Sequence, residues 1–461
     1  MNVLVVGSGF VGTTHAAVLA SHGHVVLAFD IDDGKVKALS SNDPFQIDAC
    51  VYEPGLSHLI VSHRSNLSFS SSFDDVKRVA DTMDVVFLCL PSPGSELELS
   101  VEQRFTFKAA KQLSEIFSKR NNGAQSKYVL FVNKSTVEIG TVSLLKKKFE
   151  EWGVKNFGVA SNPEFLVEGK AVIGSQNPDR VVIGVSSPGD DALLRSLYLN
   201  ISSGNIKTVS PTDSEAIKLL ANFELFSTVV RSFQVVGRLC EVVPNLNYEN
   251  VVMGITSDSR IPKWGHYTSL YSGGSCFEKD ALNLLKTLSS VQDIHSSANF
   301  VKMVVDGNTQ QLHRFYNRAR TEANFSFENK TIALLGVAFK QDTNDVRMSP
   351  AIRLAEWLSH DGVKSINVYD PQASNNFVRE ITSDCASKVN VHSSAKDALK
   401  GADVVIISTD WSEFKFLAKD IIELKPKLFM DGRRSLSSKY QEIVNAGVDV
   451  IAVGSPFLKK K

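Results

Sequence analysis

Val3-Leu4-Val5-Val6-Gly7-Ser8-Gly9-Phe10-Val11-Gly12 is the stretch that decides the fold of this chain. Four apolar residues in a row read as a buried strand, and the glycines behind them permit a turn too tight for side chains. Thr13 to Ser21 continues as helix, His22-Gly23-His24 breaks it, and Val25 to Asp30 reads as a second strand ending in an acid. In that order, Gly-x-Gly-x-x-Gly points to a dinucleotide site. Its glycines serve the turn, the approach of a pyrophosphate and the packing of helix on strand, while Asp30 can bind ribose hydroxyls. An acid there favours NAD over NADP. A mere packing turn beside a solvated Asp would not need the whole sequence of strand, glycines, helix and acidic strand end.

The chain echoes itself. Asp84-Val85-Val86-Phe87-Leu88-Cys89 recurs in type as Asp403-Val404-Val405-Ile406-Ile407-Ser408. Thr331 to Gly336 is another apolar strand ending in Gly, and Ile366-Asn367-Val368-Tyr369-Asp370 ends in Asp much as the strand ending at Asp30 does. Both ends therefore read as doubly wound α/β units. Gly336-Val337-Ala338-Phe339-Lys340 lacks the dinucleotide glycines, so the second unit is expected to bind a different ligand. Between them Thr212 and Glu215 form a capping-box pattern, and few breakers follow before Pro244. That predicts a spine helix roughly 45 Å long at ~1.5 Å per residue. Lys218 and Asn222 share one face of it. The expected fold class is α/β, with two doubly wound Rossmann-like domains joined by a long central helix and a small helical domain. The expected boundaries are 1–207, 208–325 and 326–461.

With 50 basic and 50 acidic residues among 461, the net charge is zero, and nothing points to nucleic acid or a membrane surface. Apolar runs such as Val85 to Leu90 fall far short of the ~18 residues of a membrane span. Met1-Asn2 enters the first strand without the features of a signal peptide. Cys50, Cys89, Cys240, Cys276 and Cys385 lack paired spacing, which fits free thiols in a reducing, cytoplasmic setting. No Cys/His cluster has metal-ligand spacing, so no metal is expected. Ser65 to Ser72 and Lys459-Lys460-Lys461 read as a solvated loop and terminus.

Gly273-Gly274-Ser275-Cys276-Phe277-Glu278-Lys279-Asp280 is the second informative stretch. Ser275 and Glu278 fit a capping box, which would put Cys276 at the first helical position, where the macrodipole favours a thiolate. The two glycines leave room for a substrate, and Lys279 and Asp280 bring a cation and a proton acceptor within one turn. A buried structural cysteine on a capped helix would show the same pattern.

These motifs, in this order along nearly the whole chain, resemble the UDP-glucose/GDP-mannose dehydrogenase family. They are Gly7 to Gly12 with Asp30 and Lys35, Ser92-Pro93, Lys134-Ser135-Thr136-Val137-Glu138, and Asn162-Pro163-Glu164-Phe165-Leu166-Val167-Glu168-Gly169. Asn177-Pro178-Asp179-Arg180, Glu215 to Lys218 with Asn222, Arg260 and the Cys276 stretch follow. The last are Phe339-Lys340, Asp345 with Arg347, and Asp431-Gly432-Arg433. Asn177 to Arg180 is more similar to the UDP-glucose branch.

The resemblance implies oxidation of a UDP-sugar at C6, from alcohol to carboxylate, by two successive reductions of NAD. Cys276 would add to the intermediate aldehyde and carry a thioester that water hydrolyses. Lys218 and Asn222 would stabilise the oxyanion, with Asp280, Glu164 and Thr136 as candidates to position or deprotonate water. Gly7, Gly9, Phe10, Val11, Gly12, Asp30, Lys35, Ser92, Thr136, Glu168, Lys279 and Arg347 match cofactor positions. Glu164, Phe165, Leu166, Lys218, Asn222, Arg260, Gly273, Phe339, Lys340 and Arg433 match substrate positions, with Arg260 contributed across a dimer interface. A homodimer or higher homo-oligomer through the central helical domain is implied as well.

Four places depart from the family pattern: Tyr271-Ser272 before the glycines, Phe233-Gln234 on the spine helix, Gly174 without its neighbouring acid, and Gly94 to Leu99. A short-chain epimerase or dehydratase is disfavoured, since none of the nine tyrosines has Lys four residues later. A two-electron 3-hydroxyacid dehydrogenase would share the opening fold and spine but would need no nucleophilic cysteine. Against a non-catalytic NAD/UDP-sugar binding relative stand Thr136, Glu164, Lys218, Asn222, Cys276 and Asp280 together.

Overall fold

The computed structural model describes residues 1–94, 98–100, 103–120, 126–201, 205–266, 269–291 and 295–460. Ser95, Glu96 and Leu97 of the departing segment, and Lys461 of the lysine tail, lie outside the described residues. The chain forms two compact units, residues 1–221 and 222–461.

In the first unit β1 (Asn2–Val6), β2 (Val25–Phe29), β3 (Leu67–Ser70), β4 (Val85–Leu88), β5 (Val129–Asn133), β6 (Phe157–Ser161), β7 (Val181–Gly184) and β8 (Ile206–Val209) make one sheet. Its order is β3-β2-β1-β4-β5-β6-β7-β8, parallel except where Ser161 of β6 meets Gly184 of β7 in antiparallel sense. The unbroken apolar run of β1 follows from burial on both faces: Val3 and Val5 enter one core, Leu4 and Val6 the other. Ser65 to Ser72, expected as a solvated loop, contains edge strand β3. Its serines mislead because Leu67 alone is the buried apolar anchor and the rest of the edge needs no second one.

The second unit carries β9 (Thr331–Leu335), β10 (Ser365–Tyr369), β11 (Val389–Val391), β12 (Val404–Ile407), β13 (Leu428–Asp431) and β14 (Asp449–Ala452). Their order, β11-β10-β9-β12-β13-β14, is wholly parallel and repeats the first six strands of the other sheet. The echo between Asp84–Cys89 and Asp403–Ser408 is thereby a true equivalence, since β4 and β12 each flank the first strand of their sheet.

The spine is helical from Pro211 to Val242, but not as one α-helix: Ser232–Gly237 is a π-helical segment between Pro211–Arg231 and Arg238–Val242. That segment holds the departing pair Phe233-Gln234. Phe233 is fully buried with Phe226, Leu284 and Val304 in the core of the helical layer. The expected capping box is replaced. Ser210 accepts from the Asp213 N–H at 3.1 Å, one residue before the helix begins, and Glu215 is used elsewhere.

Buried Glu241, near the spine's end, fastens the helical layer to the second sheet. It faces Arg238 and Arg314 at 3.3 Å and Arg318 at 3.5 Å, and accepts the Gly454 N–H at 3.0 Å. Removing one partner of so buried a cluster strands the other charges, at a cost of about 3–5 kcal/mol. Glu241→Ala is therefore expected to destabilise the second unit by that amount in denaturant unfolding. A loss under about 1 kcal/mol would show that Arg318 does not depend on it.

Candidate active site

The opening turn forms a cradle. Gly7 has φ +97°, and a Cβ there would lie 2.3 Å from the Cys89 carbonyl oxygen; one on Gly12 would lie 1.8 Å from that of Gly7. Gly9 faces open space and heads the helix Phe10–Ser21 with no side chain capping its amides, so Phe10 and Val11 form an open first turn. Asp30 at the end of β2 accepts from Ser8 N–H at 2.7 Å, Asp32 N–H at 3.1 Å and Lys35 Nζ at 3.1 Å. Open helix amides beside a strand-end carboxylate fit a dinucleotide: the pyrophosphate on the amides and a ribose on Asp30. Ser92 lies half-buried in the loop after β4.

Two loops of the same unit carry the next residues. After β6, Glu164 lies 3.2 Å from Lys218 Nζ and accepts the Leu166 N–H at 2.6 Å. Burial pushes its carboxyl up, but Lys218 foremost, with the Leu166 amide and Lys134, holds it below the ordinary carboxylate value. The Phe165 ring lies 4.0 Å from Arg180 and 5.2 Å from Lys218 Nζ. Glu53 pins the loop's exit by accepting from Gly169 and Ala171 N–H groups at 2.7 and 2.6 Å, while Glu168 just before them stays half-buried.

The loop after β5 carries half-buried Thr136. Glu215 of the spine accepts from Gly140 N–H at 2.6 Å and Val142 N–H at 2.8 Å, and burial raises its carboxyl to about 7. Ser135 Oγ joins this loop to the strand end before Ser92, accepting from Leu90 N–H at 2.8 Å and donating to its carbonyl at 2.7 Å. Beneath lies Lys134, fully enclosed, donating to Asn162 Oδ1 at 3.0 Å.

In the second unit Cys276 is exposed, outside any disulfide, and is the N-cap of the helix Phe277–Ser289. It stands one residue earlier than expected, and the Ser275/Glu278 capping box is not made. Glu278 instead accepts from Tyr271 Oη at 2.6 Å and Asn308 Nδ2 at 3.0 Å, because a partly enclosed carboxylate is better satisfied by fixed side-chain donors. Asp280 is wholly buried and accepts from Asn222 Nδ2 and Lys279 Nζ, each at 2.5 Å. Lys218 and Asn222 are themselves buried, so the spine face that carries them is not a solvated one.

The loop leading to Cys276 rests on the second α/β lobe. A Cβ on Gly273 would stand 2.6 Å from the Met348 carbonyl oxygen, and one on Gly274, where φ is +89°, 2.9 Å from the Phe339 ring. Tyr271 is buried under Arg353, so this departure shapes the loop from behind rather than lining its open side. Lys340 Nζ lies 5.6 Å over the Phe339 ring. Arg433 reaches Asp410 at 2.6 Å and Ser269 Oγ at 2.8 Å, and is aimed by buried Asp431, which accepts the amides of Arg433, Ser435 and Leu436. Arg347 pairs with Asp345. Arg260 stands exposed and paired with Asp258, two residues before it.

Sequence reasoning missed Glu53, Asp410, Asn308 and Gln311. Each works through contacts from 23 to 118 residues away, and polar neighbours in the chain hide Asp410, Asn308 and Gln311. Among the described residues no group of three or more His, Cys, Asp or Glu is placed to hold a metal, and no helix is long and apolar enough to cross a membrane.

The chain matches three parts of one family: the NAD binding domain of the UDP-glucose/GDP-mannose dehydrogenase family over residues 1–202, its central domain over 212–310, and its UDP binding domain over 333–438. It is 30% identical to a UDP-glucose 6-dehydrogenase of Gallus gallus, over 99% of this chain and 93% of that one. To one of Rhizobium meliloti (strain 1021) it is 32% identical, over 99% and 100%. Among solved structures, a UDP-glucose dehydrogenase of Pyrobaculum islandicum superposes with a TM-score of 0.82 at 28% identity, covering 95% of each chain. A UDP-D-ManNAc dehydrogenase of Pyrococcus horikoshii, at 23% identity and a TM-score of 0.79 over 98% and 99%, shares the fold.

Burial, chiefly, lowers the Lys134 ammonium from 10.5 to about 8. The folded pKa lies below the unfolded one, so between pH 8 and 10.5 the unfolded chain binds more protons and stability from this group rises with pH. Lys134→Met is expected to flatten that rise, as read by denaturant unfolding of the first unit across the window. An unchanged slope would remove Lys134 as its source.

Proposed function

The chain belongs to the UDP-glucose/GDP-mannose dehydrogenase family, and on that premise we propose that it oxidises UDP-glucose to UDP-glucuronate at C6 through a covalent bond to Cys276. The carrying observation is Cys276 itself, exposed at a helix N-terminus one turn before a buried Asp280 that two donors hold in place. The UDP-glucose names of the full-length relatives support the choice of sugar.

NAD, bound on the glycine turn and Asp30, supplies the hydride acceptor and is used twice per sugar. The chain's own residues do the rest. Glu164, beside Lys218, and Asp280, with Thr136, take up the alcohol proton directly or through water. The Cys276 thiolate, favoured by the helix N-terminus, adds to the C6 aldehyde, and the resulting thiohemiacetal loses a second hydride to become a thioester. Lys218 and Asn222 donate to the oxyanion that forms at each addition. Water then cleaves the thioester, releasing the carboxylate and restoring the thiol. Arg433 and Lys340 take the diphosphate, which suits their charge and donors. Glu168, Lys279 and Arg347 hold the cofactor.

The three-part division at 207 and 325 is proposed as well, with the middle part forming a homodimer. The exposed apolar residues Val235, Leu239, Val242, Met253 and Met303 of that part support this, and exposed Arg260 would act in the site of a second copy. Five cysteines outside disulfides support a cytoplasmic setting.

Purified protein with NAD and UDP-glucose, UDP-N-acetylglucosamine, UDP-N-acetylmannosamine or GDP-mannose, followed by NADH, tests the proposal. About two NADH per molecule of UDP-glucose and little from the others is the expected outcome. One NADH per sugar would end the thioester scheme, and preference for another sugar would reassign the substrate. Cys276→Ser is expected to lower acid formation on the order of a thousandfold while NAD affinity is kept. Near-normal acid formation would refute the nucleophile.

A further inference from the structure

The helix His295–Thr321 presents two fully buried amides, Asn308 and Gln311, three residues apart and so on one face. Asn308 Oδ1 accepts the Ser272 N–H at 2.8 Å, and its Nδ2 donates to the Ser272 carbonyl at 3.1 Å and to Glu278 at 3.0 Å. A side chain thus pairs with both backbone groups of one residue, as a neighbouring strand would, in a stretch of chain that belongs to no sheet. Gln311 Nε2 donates to the Ser269 carbonyl at 2.7 Å and its Oε1 accepts from Arg314. Arg314 also donates to Gln234 of the π-helical segment at 3.2 Å.

We propose that Asn308 is a positioning residue for the nucleophile, setting the Ser272 peptide and the Glu278 side chain and thereby the loop that delivers Cys276. This rests on the role given above to Cys276.

The loop is confined from both directions. Asn308 holds Ser272 on one side, and Met348 and Phe339 abut Gly273 and Gly274 on the other. Glu278, gripped by Asn308 and Tyr271 together, lies in the first turn after Cys276. Both flanks of the thiol are therefore tied to one carboxamide. Every polar atom of that carboxamide is engaged, so no isosteric replacement preserves the pattern. Asn308→Asp keeps the acceptor for Ser272 N–H but turns both donations into contacts between acceptors, one of them with a carboxylate.

The test compares wild type with Asn308→Asp and with Asn308→Asp/Glu278→Gln, in which the new amide at 278 can donate to the new carboxylate. Cys276 alkylation by iodoacetamide is followed by peptide mass against pH, and kcat and KM are measured with NAD and UDP-glucose. The single variant is expected to lose about 10–100-fold in kcat, the scale of a displacement near 1 Å, with NAD affinity within about twofold of wild type. Its alkylation profile should shift along the pH axis, and the double variant should recover part of both losses. An unshifted alkylation profile and kcat within about twofold of wild type would overturn the proposal. Alkylation needs no sugar, so failure of the substrate assignment would leave this readout intact. If Asn308→Asp does not fold, amide hydrogen exchange on wild type decides: the Ser272 amide should be strongly protected, and rapid exchange there would overturn the proposal.

Discussion

In each unit a carboxylate at the end of the second strand accepts backbone N–H groups from the turn that ends the first. Asp30 takes Ser8, and Asp370 takes Val337 and Ala338 at 2.7 and 2.9 Å. Both glycines before these turns have positive φ, +97° at Gly7 and +78° at Gly336, so the amides can only point one way. A buried amide costs free energy unless paired, and an ionised acceptor gives the stronger pairing. β2 and β4 both pair with β1, as β10 and β12 pair with β9, so each corner lies at the strand from which its sheet extends in both directions.

The same corner then serves different ends. Asp30 has one side chain, Lys35, for a partner and faces a helix headed by open glycine backbone. Asp370 is filled by the Trp411 indole N–H at 3.0 Å and the amides of Gln372 and Ala373 at 2.9 Å. A Cβ on Gly336 would fall 2.5 Å from Thr409, as one on Gly7 would fall 2.3 Å from the Cys89 carbonyl oxygen, so the first glycine serves close packing in both turns. Local filling removes a ribose acceptor without altering the fold, and of the second lobe's cations Lys340 lies farther along the loop after β9 and Arg433 lies after β13. Fold and ligand are separable for this reason.

The stretch around Cys276 follows another rule: most of its polar groups, backbone and side chain, are held by buried side chains on helices. Asp280 is fixed by Asn222 of the spine and Lys279, Ser272 by Asn308, and Ser269 by Gln311 and Arg433. The π-helical segment gives Gln234 a place in this network, through Arg314. Such segments often mark functional sites, and here the extra residue per turn coincides with the departure at Phe233-Gln234.

By itself the sequence determined the two doubly wound sheets and the cofactor, and it marked the residues proposed for the site. Those features are written in local patterns: an apolar run, glycines where φ must be positive, an acid at a strand end, a cysteine among glycines. It misplaced what depends on distant partners. Glu278 and Glu215 look like capping residues by spacing, yet each is drawn to donors elsewhere in the fold, Asn308 and Tyr271 for one, Gly140 and Val142 for the other. Strand β3 hides among serines because an edge needs one buried anchor only. Tyr271 reads only as a departure before the glycines, and only tertiary packing under Arg353 shows that it faces the core. Spacing along the chain encodes period and turn chemistry, whereas the satisfaction of a buried polar group is settled by whichever donor the fold brings within hydrogen-bond reach.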